Sequence, residues 1–400
     1  MISTDRTIHT FLEFFRERGH ELLPQESLVP PSGDSVLFTT SGMHPLTPYL
    51  LGRPHPLGSR LTNLQRCLRT TDLDEVGDST HLTVFEMLGS WSLGDYDGPR
   101  SLRWGCELLR DGFGIDSGRM HVTVFGGDER IGPDDESRRT WEELGLPVEP
   151  TTAENWWSHE PTGLCGPDSE IFVWTGSGMP QGTPTTDDRW IEVWNHVMMR
   201  YVRHSDGSLE PLRRPSVDTG LGLERLVRIL QERPSVFDID IFQPWLTTLS
   251  RLWGPLDELS VRLLSDHLRS CVVVLGDRIV PSPNGGGYVL RRLIRRVLTT
   301  LWRDDPTRTL SDLPIEPIER TLGHFRQSRP PREVRTMLLD EERKFGRLLE
   351  RGRQVLSRPR FTGPLSDDDY RYLHETHGLP RDLVTYLRLG HGDPAGNTVR

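Results

Sequence analysis

The sequence predicts an α+β chain: an antiparallel β-sheet flanked by helices, followed by a mainly helical region. Three observations lead there. Strand-like segments at residues 36–39, 61–69, 82–88, 122–125, 170–174 and 190–201 follow one another with only two helical patterns among them, the habit of an antiparallel sheet rather than of alternating β-α units. From about residue 236 the apolar residues recur at helical spacing instead. Pro234 marks the change, so the expected domains are residues 1–235 and 236–400.

The elements can be justified in order. Thr4 or Asp5 is placed to cap a first helix in which Ile8, Phe11, Leu12 and Phe15 form one apolar face, until Gly19 stops it. Further helices are expected at residues 99–111 and 134–144, and a Gly-, Pro- and Thr-rich loop at 175–189. Breaks in the helical half fall at residues 281–287 and 329–331, and residues 392–400 are expected to fray.

Composition then excludes several chemistries. No run of about 18 apolar residues is present, and the N-terminus lacks the plan of a signal peptide, so a cytoplasmic protein without a membrane span is expected. Cys67, Cys106, Cys165 and Cys271 stand far apart, in none of the paired spacings of a zinc site or disulfide framework. A net charge of -10 argues against backbone-driven affinity for DNA or RNA over the whole surface, while leaving room for a local basic face. Of the 48 basic residues only Lys344 is a lysine, and no glycine loop lies near it, which excludes a P-loop. If ATP is bound, arginines must hold its phosphates.

Three segments carry candidate chemistry. Period-two alternation puts Gln65, Cys67 and Arg69 on one face of a strand, with Arg69 at its end, where a guanidinium can meet a phosphate and a carboxylate together. The run Asp218-Thr219-Gly220-Leu221-Gly222 leads into a helix with Arg225 in its first turns; its glycines permit a strand-to-helix turn and close approach of a ligand. The third segment joins Trp156-Trp157, Cys165-Gly166-Pro167-Asp168-Ser169-Glu170 and Trp194-Asn195, where an amide among apolar strand residues must find partners.

In order and at near-family spacing, these segments, with Phe85-Glu86-Met87-Leu88-Gly89 and Gly94-Asp95-Tyr96, resemble the alanyl-tRNA synthetase family. The likeness continues through Ser265-Asp266-His267-Leu268-Arg269-Ser270, Gly287-Tyr288-Val289-Leu290-Arg291-Arg292 and Glu341-Glu342-Arg343-Lys344-Phe345, and ends near Leu383. It implies a class II synthetase catalytic domain over 1–235 and a tRNA-recognition domain over 236–400. The activity implied is ATP-dependent activation of alanine or a similar small amino acid, followed by transfer to the acceptor stem of a tRNA. On that resemblance Arg69 and Arg225 are catalytic; Arg69, Phe85, Met87, Gly222 and Arg225 bind ATP, accompanied by Mg²⁺. Trp157, Asn195, Val197, Asp218 and Gly220 form the amino-acid pocket, with Asp218 opposite the ammonium. Asn284, Arg291, Arg292, Arg295, Arg296 and Glu375 would meet the tRNA. Within the helix at 287–297, Leu290, Leu293, Ile294 and Val297 take the apolar face and leave its four arginines to the other.

The chain departs from the family in several places. Thr70 and Thr71 run straight into Asp72, so the turn after Arg69 is shortened and lacks the family's lysine. Asn284 is displaced by one position from the family's wobble-pair reader, and Glu375 is a methylene longer than the usual Asp. Nothing after residue 400 corresponds to the editing or oligomerisation regions, so a monomeric, specialised paralogue without editing is expected. Two other readings remain open at this stage: adenylation with transfer to a carrier protein or an amine, and a non-catalytic protein that binds tRNA or amino acid.

Overall fold

The computed structural model describes residues 2–30, 36–152, 154–158 and 162–389; the expected fraying at 392–400 lies outside the described residues. Two compact units divide the chain, Met1–Ile241 and Phe242–Arg400.

The first unit is built on a nine-stranded sheet. Its strands are β1 (Glu21–Leu22), β2 (Arg60–Leu68), β3 (Val84–Ser92), β4 (Met120–Phe125), β5 (Val148–Thr151), β6 (Trp156–Ser158), β7 (Gly163–Trp174), β8 (Trp190–Arg203) and β9 (Leu209–Gly222). They lie in the order β1-β2-β3-β9-β8-β7-β4-β5, with β6 beside β7. The pairings are antiparallel except β1 with β2 and β4 with β5, at the two ends of the path. The sheet is therefore antiparallel through its centre, as the strand runs predict, and mixed at its margins. Residues 36–39, expected as a strand, form bends at 36–38 and irregular backbone at Thr39 instead. Thr39 makes single backbone bonds to Leu28 and Leu68 rather than a ladder, so β-prone composition there has no neighbouring strand to fix it.

Helices α1 (Thr4–Arg16), α2 (Thr47–Leu50), α3 (Gly98–Glu107), α4 (Asp135–Glu143) and α5 (Leu223–Leu230) complete this unit. The N-cap of α1 is Ser3, whose hydroxyl accepts from the Arg6 N–H; it stands one residue before the expected cap. Gly19, with φ of +78°, lets the chain leave the helix through a conformation that costs other residues about 1 kcal/mol. Phe11 and Phe15 bring α1 onto Trp194, with ring centroids 5.5 and 6.2 Å away. Ser101 on α3 bonds His196 at 2.9 Å, and Gly105 lies so close that a Cβ there would fall 2.8 Å from the same imidazole. Burial pushes His196 down to about 3, so it stays neutral in this contact.

Trp194 and His196 thus face the helices, and strand alternation sends Asn195 and Val197 to the opposite face. That second face holds the candidate site.

The second unit is helical, with α6 (Gln243–Trp253), α7 (Glu258–Gly276), α8 (Gly285–Asp304), α9 (Glu316–His324), α10 (Pro331–Leu356), α11 (Asp367–His377) and α12 (Arg381–Leu389). On α8, Leu290, Leu293, Ile294 and Val297 are buried, as the helical pattern predicts. Buried Arg269 on α7 lies 4.8 Å from the Phe242 ring and 4.9 Å from the Phe325 ring. No helix among the described residues is long and apolar enough to cross a membrane.

Candidate active site

Cross-strand registry builds the site as a set of rows on the open face. Cys67 pairs with Phe85; Gln65, Met87 and Gly222 form the next row. Beyond it come Asn63, Gly89, Gly220, Asn195 and Glu170, and then Leu61, Trp91, Asp218, Val197 and Asp168. Neighbours within a row stand about 5 Å apart, and Phe85 to Trp91 spans about 20 Å.

The two glycines make the floor. A Cβ on Gly220 would fall 2.7 Å from the Met87 sulfur, and one on Gly89 would fall 2.1 Å from the Trp91 ring. Side chains are therefore absent where a ligand must lie flat, and the walls supply the chemistry.

At one end Arg69, Phe85, Met87, Gly220, Gly222 and Arg225 line a single cleft of about 560 Å³, counting space open to solvent. Six residues expected from separate parts of the sequence are so brought together. The Arg69 guanidinium stands 5.1 Å from the Phe85 ring centroid and donates from Nε to the Thr40 carbonyl at 3.2 Å. Its remaining N–H groups have no acceptor among the described residues and can meet an anion. Arg225 is engaged with Glu192 at 2.6 Å.

Glu192 and His81 are among the lining residues to which the sequence assigns no role. Glu192 stands amid the apolar strand residues Ile191 and Val193, and that lone charge was the available signal. His81 sits between two carboxylates, 2.5 Å from Asp78 and 3.2 Å from Glu75. It lies in the shortened turn, so the segment without the family's lysine still presents a nitrogen base to the cleft.

At the other end the chemistry changes from cationic to anionic. Asp218 is buried, accepts a 2.6 Å hydrogen bond from the Trp91 indole and has no cationic partner among the described residues. Burial pushes its carboxyl up to about 7, against the opposing pull of the indole. Asn195 donates to Glu170 at 3.4 Å, while its Oδ1 is buried with no donor to meet it. Asp168 receives the Asn155 amide at 2.8 Å and is also pushed up to about 7 by burial, with Glu192 and Asp134 adding repulsion. Glu170 is raised further, again by burial first and then by Glu192 and Asp168. Among the described residues this end therefore offers Asp218 no counter-charge and the Asn195 Oδ1 no donor, and a protonated amine supplies both. Val197 lies in an apolar cluster with Met43, Leu46, Leu61 and Trp91, and Trp157 packs against it. The walls beside Asp218 are thus apolar and close.

The expected tRNA contacts are on the helical unit. Asn284 is exposed at the start of α8, where its side chain makes no capping bond. Arg291 and Arg295 turn toward buried Glu341, at 3.0 and 3.3 Å, whereas Arg292 is exposed and Arg296 half-buried. Glu375 is exposed on α11. The four α8 arginines therefore occupy two directions rather than one face, because positions i and i+1 diverge by about 100° around a helix.

The family model described as tRNA synthetases class II (A) matches residues 7–391. An alanine--tRNA ligase of Treponema pallidum is 39% identical, over 98% of this chain and 69% of that protein. One from Treponema denticola is 43% identical over 74% of this chain and 52% of that protein, and one from Halorhodospira halophila is 38% identical over 94% and 45%. The chain thus spans between about half and about two thirds of the length of these relatives. Matched along almost its entire sequence, the chain belongs to the class II tRNA synthetase family (A), whose similar members are alanine--tRNA ligases.

Proposed function

We propose that this chain activates alanine with ATP as the enzyme-bound adenylate, releasing pyrophosphate, and then transfers the alanyl group to a tRNA. The observation that carries the reading is the polarity of one groove. Two guanidinium groups stand at one end, and an unpaired carboxylate with a donor-less amide oxygen stands at the other, over a floor of two glycines. An amino acid laid along it places its ammonium at Asp218 and Asn195 and its carboxylate toward Arg69. ATP fills the cleft with its base between Phe85, Met87 and Arg225, and its α-phosphate at Arg69. The carboxylate oxygen attacks that phosphorus, pyrophosphate leaves, and the arginine fork meets the charge that builds on the phosphorus oxygens.

Mg²⁺ fits the residues present. Among the described residues no group of three or more acidic, His or Cys side chains forms a cage, and Mg²⁺ commonly takes one or two carboxylates together with substrate phosphates and water. Glu192, a lining carboxylate, would hold it; the ion supplies neutralisation of the leaving pyrophosphate. Val197 and Trp157, in and against one apolar cluster, would wall the side-chain end of the pocket and favour a small apolar side chain such as a methyl group.

Pyrophosphate exchange into ATP, measured across the twenty amino acids with and without tRNA, tests the reading. Alanine is expected to give the fastest exchange, and acid-precipitable charging of tRNA is expected to follow. Exchange with alanine but no charging of any tRNA from the source organism would remove the transfer step; no exchange with any amino acid would remove the whole reading.

The Asp218 carboxyl adds a pH dependence. In the empty site it titrates at about 7, and only its ionised form pairs with an ammonium. The KM for alanine in exchange is therefore expected to rise about tenfold per pH unit below that value, with little change in kcat at saturating alanine. A KM that stays flat from pH 8 to pH 5.5 would place the ammonium elsewhere.

A further inference from the structure

Trp91 pairs with Asp218 across β3 and β9, at the anionic end of the groove, and its side chain has no access to solvent. A buried indole needs an acceptor for its N–H, and here the acceptor is a carboxylate: Nε1 donates to Asp218 Oδ1 at 2.6 Å. That bond has two effects. It occupies one carboxylate oxygen and leaves Oδ2 as the oxygen without a hydrogen bond among the described residues. It also favours the ionised carboxyl, against the burial that opposes ionisation.

The indole is closed in on both sides by glycines. A Cβ on Gly89 would fall 2.1 Å from its ring, and one on Gly42, in the turn after Thr40, would fall 3.1 Å from it. A side chain at Gly89 would displace the ring, and the carboxylate bonded to it would move too. Met43, Leu61 and Val197 share one buried cluster with the ring. The turn that carries Gly42 also reaches toward the other end of the groove. The Gly42 N–H donates to the Met87 sulfur at 3.4 Å, and the Thr40 carbonyl accepts from Arg69. The orientation of Asp218 is thereby tied to a segment that holds side chains of the ATP end. The ring also takes the space above Gly89, next to an ammonium held at Asp218. A shorter aromatic side chain would leave that space to the substrate.

We infer that Trp91 is the positioning residue of the amino-acid end: its indole N–H aims the Asp218 carboxylate at the substrate ammonium, and its ring fills the space that a side chain longer than a methyl group would take. The inference rests on the proposed amino-acid site and deepens it, by naming what sets the direction of Asp218 and the size limit beside it. Trp91 does not line the cleft of Arg69 and Arg225, so it acts through Asp218 and not on the reacting atoms.

The test uses the full chain and two replacements, read by pyrophosphate exchange over a range of pH. Trp91→benzothienylalanine keeps two fused rings and puts sulfur where the N–H was; Trp91→Phe removes the N–H and shortens the ring. With the isostere, the KM for alanine at neutral pH is expected to rise about tenfold and the break of KM against pH to move up by about one unit, because a hydrogen bond to a charged group is lost. The kcat at saturating alanine and the KM for ATP should stay within about twofold of wild type, and α-aminobutyrate, one methylene longer than alanine, should be rejected as before. The other titratable groups of this end, Asp168 and Glu170 on β7, Glu192 on β8 and Tyr96 after β3, are the same in every variant, so the moved break reports Asp218. With Trp91→Phe the same changes are expected, and the preference for alanine over α-aminobutyrate in kcat/KM should also fall by about tenfold. Thermal melting verifies folding, and the isostere, which leaves no cavity, carries the test if the Phe variant does not fold. An isostere enzyme with the wild-type KM and pH break overturns the inference, as does a folded Trp91→Phe enzyme that discriminates like wild type. Wild-type chain that exchanges pyrophosphate with no amino acid fails earlier and removes the proposed site itself.

Discussion

Replacing Arg69 with Ala is expected to lower alanine-dependent pyrophosphate exchange by about 10³-fold, with most of the loss in kcat. The side chain follows the last residue of β2 at the mouth of the cleft, and its hydrogen bond among the described residues is the long contact from Nε to the Thr40 carbonyl. Its terminal nitrogens are held over the Phe85 ring without a carboxylate. A guanidinium so placed contributes little to the fold, and melting should move by no more than a few degrees. Its contribution should come when negative charge moves onto the phosphorus oxygens, so substrate affinities should change less than the rate. Arg69→Lys restores the charge but not the planar fork and is expected to recover only part of the rate. An Arg69→Ala enzyme within tenfold of wild type would show that Arg69 does not meet the charge that builds at the α-phosphorus, and adenylate formation would have to rest on other groups of the groove.

How far the site was legible in the sequence depends on which direction carries the information. Along the chain, Ile8, Phe11 and Phe15 announce α1, and Gly220 and Gly222 announce the passage from β9 into α5, because helix faces and turn chemistry are local. Arg69 was placed at a strand end by alternation alone. What was not legible is mostly cross-strand. The strand expected at 170–174 in fact begins at Gly163, as β7, with a register shift between Cys165 and Asp168. Gly166 lies where a Cβ would meet the Met198 carbonyl at 1.9 Å, so its glycine serves strand approach rather than a turn. The same reasoning explains why Asp168, Glu170 and Glu192 were not grouped. They become one repelling cluster only when β7 and β8 align, and no spacing in the sequence encodes that register. The α8 arginines show the same dependence: helical period separates them from the apolar face, and Glu341 on α10 draws Arg291 and Arg295 to one side.

Exchanging Asp218 for Asn is expected to cost activity and add stability at once. Burial raises the carboxyl from its ordinary 3.8 to about 7. Between those values the folded chain holds a proton that the unfolded chain has released. Stability therefore falls as pH rises through that window, and the full cost remains above it. Three pKa units correspond to an upper bound of about 4 kcal/mol, and water in the groove reduces this to about 2. Asn keeps the acceptor for the Trp91 indole and carries no charge. Asp218→Asn should then melt about 4 to 8 °C higher than wild type at pH 8, with the gap closing as pH falls toward 4. Asp168 and Glu170 shift wild type and variant alike, so the difference between the two isolates Asp218. Catalytically, the ammonium loses its counter-charge in a desolvated place, and kcat/KM for alanine should fall by about 10³-fold. A variant that melts lower and still activates alanine would mean that Asp218 is a structural carboxylate stabilised by its surroundings. One that melts higher and loses alanine shows that the strain in the empty groove is set aside for an amino acid to relieve.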